Sequence, residues 1–429
     1  MTIKNIKGGI KSFIGKLSIL LAVSAFRLKD DSLGGKWICE LCKKIFGLLN
    51  MSIYRVADAS IYKHNTGNVI ITDIETGRMG VAGNIIMAGS GEPIVMNKKK
   101  LPNLQLNCYK DVCIRGDSDV VVDIEHGYVI SEAGYNLADN EEVVDGLLYR
   151  TRENVCLLRD NMQHEKEHLS TGIMISGKFS HNYYHIMYEN LIRLIFLDKL
   201  DIPQEVPILA DRKTLAIPSC KRIYDTLTEG LKRDLVLIDN NKIYQIDSLY
   251  CISRVNKFPA HVTNPDIGNI EYLYYAPALR TMREKLLKCK SERIFPKRIF
   301  ITRANSRGRH YNEDEVFEAL KPYGFEKVAP EQYSFEEQMS LFNGAEYVVG
   351  GSGAAFSNLL FVNKKTTAII FTRGNYEEIK GVPVFNTIAN VCGARVEFFP
   401  NMHVGDKNIH ANYTIDCDRF AEALKKIIK

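Results

Sequence analysis

In the last third of the chain, segments with the hydrophobic pattern of strands alternate with segments that have the hydrophobic pattern of helices. Short β-branched runs predict buried strands, and stretches with apolar residues three or four apart behind a capping residue predict helices. The predicted strands are 298–302, 325–328, 347–349 and 367–371. The predicted helices are 312–321 with Asn312 as its cap, a segment opened by a Ser334–Glu337 capping box, and a segment through Leu360. This order predicts a parallel α/β sheet.

A second alternation of the same kind precedes the first. Its predicted strands are 172–177, 207–210, 235–238 and 248–252, and its predicted helices are 186–199 and 220–231. The two halves divide near residues 276–296. We therefore expect a pair of Rossmann-like domains that face each other across a cleft.

The N-terminal part of the chain has a different pattern. Residues 52–149 contain many short strands separated by turn signals, so this portion is expected to be β-rich. Residues 9–26 are basic and then apolar, but the apolar run is too short to span a bilayer. This stretch is either an amphipathic helix on the inner membrane face or a helix packed on the first domain.

The chain ends in an amphipathic helix, predicted over 416–428, whose apolar stripe could cross back onto the first domain. Together these patterns divide the chain into four segments. They are 1–50, helical; 51–275, β-rich over 51–170 and Rossmann-like over 171–275; 276–400, a second Rossmann-like domain; and 401–429, the tail. A length of 429 residues fits two sizeable domains.

The composition limits the classes of binding partner and the cellular compartment that the sequence favours. The net charge of +5 is too small to indicate nucleic-acid binding, although it suits an anionic ligand or a membrane surface. The ten cysteines do not have the spacing of a disulfide framework, which favours reduced thiols and a cytosolic setting. Cys39 and Cys42 have the spacing of half a zinc site, but no second pair accompanies them. We expect neither a metal nor another cofactor.

Two loops follow predicted strands and carry residues suited to phosphate. The first holds Arg303, Arg307 and Arg309, whose planar guanidinium groups match phosphate oxygens. The second is the glycine turn 350–358, where small residues let backbone amides approach a ligand closely. Both loops leave the carboxyl ends of strands, where ligands bind on parallel sheets. The alternative for the first loop is an ordinary solvated basic loop.

A candidate general base lies in the first half of the chain. His185 and Glu189 are four residues apart, so both side chains can lie on one side of a helical turn. A carboxylate beside an imidazole orients the ring and raises its basicity. In the alternative interpretation, His185 caps the helix and Glu189 pairs with Arg193.

These stretches together resemble glycosyltransferase family 61, which includes N-acetylglucosaminyl- and xylosyltransferases and bacterial capsule-synthesis proteins. The resemblance rests on Arg303, Arg307, Asn312 and Glu313, on Ser334, Phe335 and Gln338, on residues 351–358, and on Asn182 to His185 before Glu189. The family usually has histidine where this chain has Ser352. A serine hydroxyl can still donate a hydrogen bond.

The resemblance implies a metal-independent inverting glycosyltransferase with the GT-B pair of domains. Its donor would be a nucleotide-sugar, with a UDP-sugar favoured, and its acceptor a glycan or lipid-linked glycan in bacterial surface polysaccharide synthesis. The implied donor-binding residues are Arg303, Arg307, Arg309, Asn312, Gln338, Ser352, Gly353, Ala354 and Asn358. The implied catalytic residues are His185 and Glu189, with Asn182, Tyr183 and Tyr184 on the acceptor side. The setting would be cytoplasmic, with a peripheral membrane contact through the N-terminus as one interpretation.

Three further hypotheses remain open from the residues alone. A member of the family that binds nucleotide-sugars without transferring them would fit the missing histidine. Gly350 to Ala354 nearly match the nucleophile turn of serine hydrolases, with Ser352 as nucleophile and Asp406 and His410 downstream. The acidic pairs Asp117/Asp119 and Asp416/Asp418 match the DxD pattern of metal-dependent transferases, but structural roles are favoured for both.

Overall fold

The protein is described from a computed structural model. The described residues are 20, 44, 51–90, 92–95, 98–131, 145–152, 154–159, 162, 165–258, 272–304, 308–373, 384–401 and 412–428. The predicted N-terminal helix and the Cys39/Cys42 pair lie outside these residues, as do Arg307, Asp406 and His410. Within the described part of the chain, no helix is long and apolar enough to cross a bilayer.

The fold is mixed α/β and is built on two sheets. The larger sheet joins eleven strands of the described residues in the order β10-β11-β1-β9-β8-β7-β15-β12-β13-β14, with β2 also paired to β7. Its strands are β1 Ser52–Ala57, β2 Val69–Glu75, β7 Leu104–Ile114, β8 Val121–Asp123, β9 Tyr128–Ile130, β10 Leu148–Arg152, β11 Val155–Leu158, β12 Lys166–Met174, β13 Ile208–Asp211, β14 Leu235–Ile238 and β15 Ile243–Ile252. Two short antiparallel pairs form separate two-stranded sheets, β3 Met79–Gly80 with β6 Lys99–Lys100 and β4 Ile85–Ile86 with β5 Pro93–Ile94.

The β-rich portion and the first Rossmann-like portion share this larger sheet. Strands β15, β12, β13 and β14 are parallel to one another, as expected for strand–helix alternation. The long strand β7 pairs antiparallel to β15 and so connects the parallel strands to the β-rich ones. Strand β12 spans 166–174, so the boundary drawn between residues 170 and 171 falls inside a strand. The helices beside this sheet are α1 Ala59–Thr66, α2 Tyr183–His185, α3 Arg212–Leu215 and α4 Pro218–Thr228.

The second sheet is wholly parallel, and its sequence prediction is confirmed. Its order is β17-β16-β18-β19-β20, and all four pairings are parallel. The strands are β16 Arg298–Ile301, β17 Glu326–Val328, β18 Tyr347–Gly351, β19 Thr367–Arg373 and β20 Arg395–Asn401. The connecting helices are α6 Glu313–Leu320, α7 Phe335–Gly344, a 3₁₀ helix Ala354–Phe361 and α8 Phe385–Val391. The predicted capping box is present, because Ser334 Oγ accepts from Glu337 N and Glu337 Oε2 accepts from Ser334 N.

Two predicted helices differ in their winding from an α-helix. The stretch predicted over 186–199 continues α2 as a wide π turn, Ile186–Asn190, and then as a narrow 3₁₀ helix, Leu191–Lys199. The helix after the glycine turn is also 3₁₀. A π turn inside a helix changes which side chains share a face, and such turns are frequent at functional sites.

The two sheets share one hydrophobic core. Buried residues of the first sheet, such as Ile173, and of the second, such as Val348, belong to the same cluster. Helix α5, Ala276–Leu287, connects the sheets and adds Leu279 and Met282 to this cluster. The predicted division near 276–296 therefore begins with an amphipathic helix whose apolar face lies in the shared core.

A segment of the N-terminal part reaches across to the second sheet. Asn386 Nδ2 donates to the carbonyls of Gly83 and Asn84 at 2.8 and 2.9 Å, and Ala88 N donates to Phe398 O at 2.9 Å. A Cβ on Gly83 would lie 2.5 Å from the Thr387 backbone nitrogen, so only glycine permits this approach. Residues 83–89 thus extend the β20 edge of the second sheet.

The tail helix, α9 Cys417–Ile427, packs on the second sheet. Phe420 contacts Phe371 and Phe399 edge-on, with ring centroids 5.0 and 5.3 Å apart. Its contact with the N-terminal part comes from residues 83–89, since a Cβ on Gly89 would lie 3.4 Å from Ala423. The helix was expected to cross back onto the first domain. Its apolar stripe instead covers the aromatic face of the second sheet, and the first part reaches to it.

Candidate active site

A histidine–carboxylate pair lies at the start of the helix that follows β12. Asn182 caps α2, with its Oδ1 accepting from Tyr184 N at 3.1 Å. One turn later His185 Nδ1 lies 2.5 Å from Glu189 Oε1, and the two side chains are 13% and 4% exposed. Glu189 therefore contacts His185 in the structure, and not Arg193 as in the alternative interpretation. Because Glu189 engages Nδ1, Nε2 is the ring nitrogen that can take up a proton.

The imidazole of His185 is also held from the opposite side. The ring of Phe179 stacks on it, with centroids 4.3 Å apart and planes at 30°. Phe179 has a φ of 57°, a left-handed conformation that costs energy for a bulky residue. Such strained residues cluster at functional sites, where the rest of the structure holds them in place. The ring of His185 is therefore fixed in orientation by a carboxylate and by an aromatic face.

Arg303 joins the arginine loop to the glycine turn. Its Nη1 donates to Ser352 O and its Nη2 to Gly308 O, both at 3.0 Å. Its backbone N–H donates to Glu313 Oε2 at 2.8 Å. A Cβ on Gly353 would lie 2.2 Å from Arg303 Nη1, so the glycine leaves room for the guanidinium. The loop after β16 and the turn after β18 are thus brought together at the carboxyl ends of their strands, as predicted.

Arg309 provides a second, unneutralised positive charge in this loop. It lies partly buried with a φ of 58°, and it has no hydrogen bond or ion pair to any described residue. Burial, and then the neighbouring Arg303, lower the pKa of the Arg309 guanidinium. Two guanidinium groups side by side without a carboxylate repel each other, and a bound anion would relieve that repulsion.

Two tyrosines complete this part of the site, and sequence reasoning missed both. The rings of Tyr311 and Tyr413 stack with centroids 5.3 Å apart and planes at 21°. A Cβ on Gly351 would lie 2.8 Å from both the Tyr311 ring and the Tyr413 hydroxyl. Burial raises the pKa of Tyr413 to about 12, so its hydroxyl remains a hydrogen-bond donor at neutral pH.

The 3₁₀ helix Ala354–Phe361 connects the arginine–glycine region to the histidine pair. Tyr183 Oη donates to Asn358 Oδ1 at 2.8 Å, and Asn358 Nδ2 donates to Gln338 Oε1 at 3.0 Å. At about 2 Å of rise per residue in a 3₁₀ helix, Asn358 lies about 8 Å along the helix from Ala354. The Tyr183–Asn358 hydrogen bond therefore joins the helical segment that carries the candidate base to the helix that follows the glycine turn.

Comparison with known families finds a match that covers most of this site, although Phe179, Asn182 and Tyr413 lie outside it. The family described as Glycosyltransferase 61 matches residues 183–369, from Tyr183 through the arginine loop and the glycine turn to β19. The chain carries a glycosyltransferase family 61 domain. This glycosyltransferase accordingly acts on a sugar donor and an acceptor. None of the curated proteins compared with the chain matches it.

The remaining residues implied to bind the donor occupy distinct places in this glycosyltransferase. Asn312 is the N-cap residue of α6 as predicted, but its side chain makes no capping hydrogen bond, because its amide pairs with the Ile415 backbone through both Nδ2 and Oδ1. Gln338 donates to Tyr333 O while it accepts from Asn358, and both amides are buried. Ser352, Gly353 and Ala354 form the turn itself. Asn312, Gln338 and Asn358 thus hold the walls of the site in position.

The acidic pairs of the glycosyltransferase have structural partners. Asp117 pairs with Arg115, and Asp119 pairs with Lys178 and Arg254. Asp416 caps α9 by accepting from Arg419 N at 3.0 Å. The structural roles favoured for both DxD-like pairs are consistent with these contacts. The partners required by the hydrolase hypothesis, Asp406 and His410, lie outside the described residues.

Proposed function

We propose that the protein is a metal-independent inverting glycosyltransferase of the GT-B kind that uses a UDP-sugar donor. The proposal is supported by the Arg303–Arg309 pair beside the glycine turn and by the Asn358–Tyr183 hydrogen bond, which joins the helix after that turn to the segment that carries His185. A base and an anion site that border one helix are what such a transfer requires.

In the proposed reaction, the donor diphosphate occupies the arginine–glycine region. Arg309 pairs with phosphate oxygens, and Tyr413 donates a hydrogen bond from its hydroxyl. The bond between the anomeric carbon and the diphosphate breaks, and its electron pair leaves with the nucleoside diphosphate. The two guanidinium groups stabilise the charge that grows on this leaving group, which is the task of a metal ion in other transferases.

On the opposite side, His185 acts as the general base. Its Nε2 takes the proton of an acceptor hydroxyl as the hydroxyl oxygen attacks the anomeric carbon. Glu189 stabilises the resulting imidazolium through Nδ1. A single displacement of this kind inverts the anomeric configuration. We place the acceptor among the glycans or lipid-linked glycans of surface polysaccharide synthesis.

The donor assignment is tested by thermal melting with UDP in the presence of EDTA. A ligand that binds the folded state raises the melting temperature in proportion to RT ln(1 + [L]/Kd). We expect Arg309→Ala to weaken UDP binding about 10- to 100-fold, since it removes a charge-assisted hydrogen bond. Arg293→Ala is the matched control, because Arg293 is exposed and already has a carboxylate partner, Glu337.

The possible results separate the hypotheses. Equal UDP binding by Arg309→Ala and wild type would overturn the donor site, and loss of binding in EDTA would overturn metal independence. UDP binding without transfer or donor hydrolysis under any condition would favour the non-catalytic member of the family. Complete loss of turnover in Ser352→Ala, with UDP binding intact, would favour the hydrolase.

A further inference from the structure

A small polar cavity lies beside the histidine pair and has no part in the reaction proposed above. It measures about 40 Å³ and opens near the carboxyl ends of β12 and β15. Met174 and Ile252 line its apolar side, whereas Asn107, Arg193 and Arg254 line its polar side. A cavity of this size holds about three water molecules or one small charged group.

The charged side chains around the cavity are not all in direct contact with a partner of opposite charge. Asp119 accepts from Arg254 Nη2 at 2.9 Å and lies 3.3 Å from Lys178 Nζ. Burial opposes ionisation of Asp119, but Lys178, Arg254 and Arg193 outweigh burial and lower its pKa. The neighbouring Asp145 accepts from Ser118 Oγ and from three backbone amides, so it neutralises none of the three cations by direct contact.

Arg193 is the third of these cations, and Asp119 makes no direct contact with it. It is 8% exposed, and it has no hydrogen bond or ion pair to the described residues. Its Nε is buried without a partner. Burying a guanidinium without a counter-ion is costly, so proteins rarely do so where no anion binds.

Further polar atoms near the cavity also lack partners. Asn107 Oδ1 lines the cavity and accepts no hydrogen bond from the described part of the chain. Both amide atoms of Asn190 are likewise buried and unpaired within those residues. Gly177 permits this crowding, because its Cβ would lie 2.2 Å from Asp119 Oδ1 and 2.8 Å from Asn190 Oδ1. An unpaired oxygen beside an unpaired guanidinium suits a ligand that carries both a hydroxyl and a negative charge.

The chain connects the cavity directly to the candidate base. Lys178 contacts Asp119, and the next residue, Phe179, stacks on His185. On the helix, Glu189 contacts His185 while Arg193, one turn later, lines the cavity. His185, Glu189 and Arg193 thus follow one another along the same helical segment, from the candidate base to the cavity.

We propose that this cavity binds an anionic substituent of the acceptor, a sugar carboxylate or phosphate, and so selects acidic glycans. This inference rests on the proposed function, because it takes the His185 side as the acceptor side. Arg193 would pair with the anion, and Asn107 would accept a hydrogen bond from an adjacent hydroxyl. The cavity has room for the charged group alone, so the sugar ring would remain outside it.

The test compares three probes that differ only at carbon 6: glucuronate, glucose 6-phosphate and glucose. Binding to the full-length protein is measured by ligand-observed NMR titration. We expect at least one anionic probe to bind about tenfold or more tightly than glucose, and Arg193→Gln to reduce that preference to about one. Arg212→Gln is the control, because it removes an exposed arginine from the same part of the protein.

A second variant keeps the test decisive if Arg193→Gln folds poorly. Asn107→Asp changes almost no volume, supplies Arg193 with a carboxylate and should likewise abolish the preference. Equal binding of all three probes by wild type would overturn the inference, as would a preference that persists in both variants. UDP binding is measured in parallel: if it persists while no acidic preference exists, only this inference fails, whereas its absence in wild type counts against the proposed function.

Discussion

The region around His185 and the region around Arg303 differ in how their charged side chains are paired. Around His185 the buried carboxylates have close partners, as in the contacts Glu189–His185 and Asp119–Arg254, and Arg193 is the exception among the cations. Around Arg303 the guanidinium groups face backbone carbonyls and each other, and no carboxylate pairs with either side chain among the described residues. In the proposed reaction, the first region orients and moves a proton, and the second receives a negative charge.

This difference suggests which region contributes mainly to the stability of the fold and which mainly to ligand binding. Paired buried charges are costly to break, because the remaining partner stays buried without compensation. Adjacent like charges are costly to keep, so their presence indicates a ligand. Substitutions on the first side should therefore affect turnover or folding, and substitutions on the second should affect donor binding with little loss of stability.

The largest effect is expected on turnover. His185→Ala should lower kcat about 10²- to 10⁴-fold, the usual contribution of a general base, while UDP binding stays unchanged. The control is His168→Ala, since His168 forms a similar pair with Asp247 but lies exposed on the surface. Transfer from UDP-sugars is measured together with UDP affinity. A fall in UDP affinity that matched the fall in kcat would assign His185 to the donor site instead.

The next effect contrasts the stability of the two regions. Asp119→Asn should lower the free energy of unfolding by about 3–5 kcal/mol, because Lys178 and Arg254 lose their buried partner. Arg309→Ala should leave stability unchanged or raise it slightly, because it removes repulsion with Arg303. Both are measured by urea unfolding without ligand, with the exposed Asp247→Asn as control. Similar destabilisation by both variants would show that Arg309 has a structural counter-charge.

The features that sequence analysis predicted are mainly local. Apolar periodicity placed the strands of the second sheet, and the capping box at Ser334 was confirmed because capping depends on residues three apart. His185 and Glu189 could likewise be paired from their spacing. Asn312 occupies the predicted N-cap position, but its side chain makes no capping hydrogen bond because a distant backbone, that of Ile415, competes for its amide.

The features that could not be predicted join distant parts of the chain. Tyr413 stacks on Tyr311, Arg254 pairs with Asp119, and Asn386 holds Gly83. No spacing rule links such residues, since their proximity results from how the two sheets pack. The pairing of charged side chains in each region could therefore not be predicted from the sequence, although most of these residues had been identified as candidates.

A smaller effect is expected from filling the space beside Arg303. Gly353→Ala should push the Arg303 guanidinium aside, because the added Cβ would lie 2.2 Å from Nη1. The backbone at Gly353 is extended, so the substitution carries no conformational strain. We expect UDP affinity to fall about tenfold, which corresponds to about 1.4 kcal/mol. Gly344→Ala is the control, since a Cβ added at Gly344 would meet no described atom within 4 Å. Unchanged affinity in Gly353→Ala would mean that the position of Arg303 does not matter for the donor.

The smallest effect tests the connection between the two regions. Tyr183→Phe removes the hydroxyl that donates to Asn358 Oδ1 and should lower the free energy of unfolding by about 1 kcal/mol. Tyr347→Phe is the control, because the Tyr347 hydroxyl has no hydrogen bond to the described residues. If the bond only stabilises the fold, kcat at a temperature well below melting should equal that of wild type. If it also sets the distance between His185 and the donor, kcat should fall while UDP affinity and the pH profile stay the same, since neither charged region has been altered.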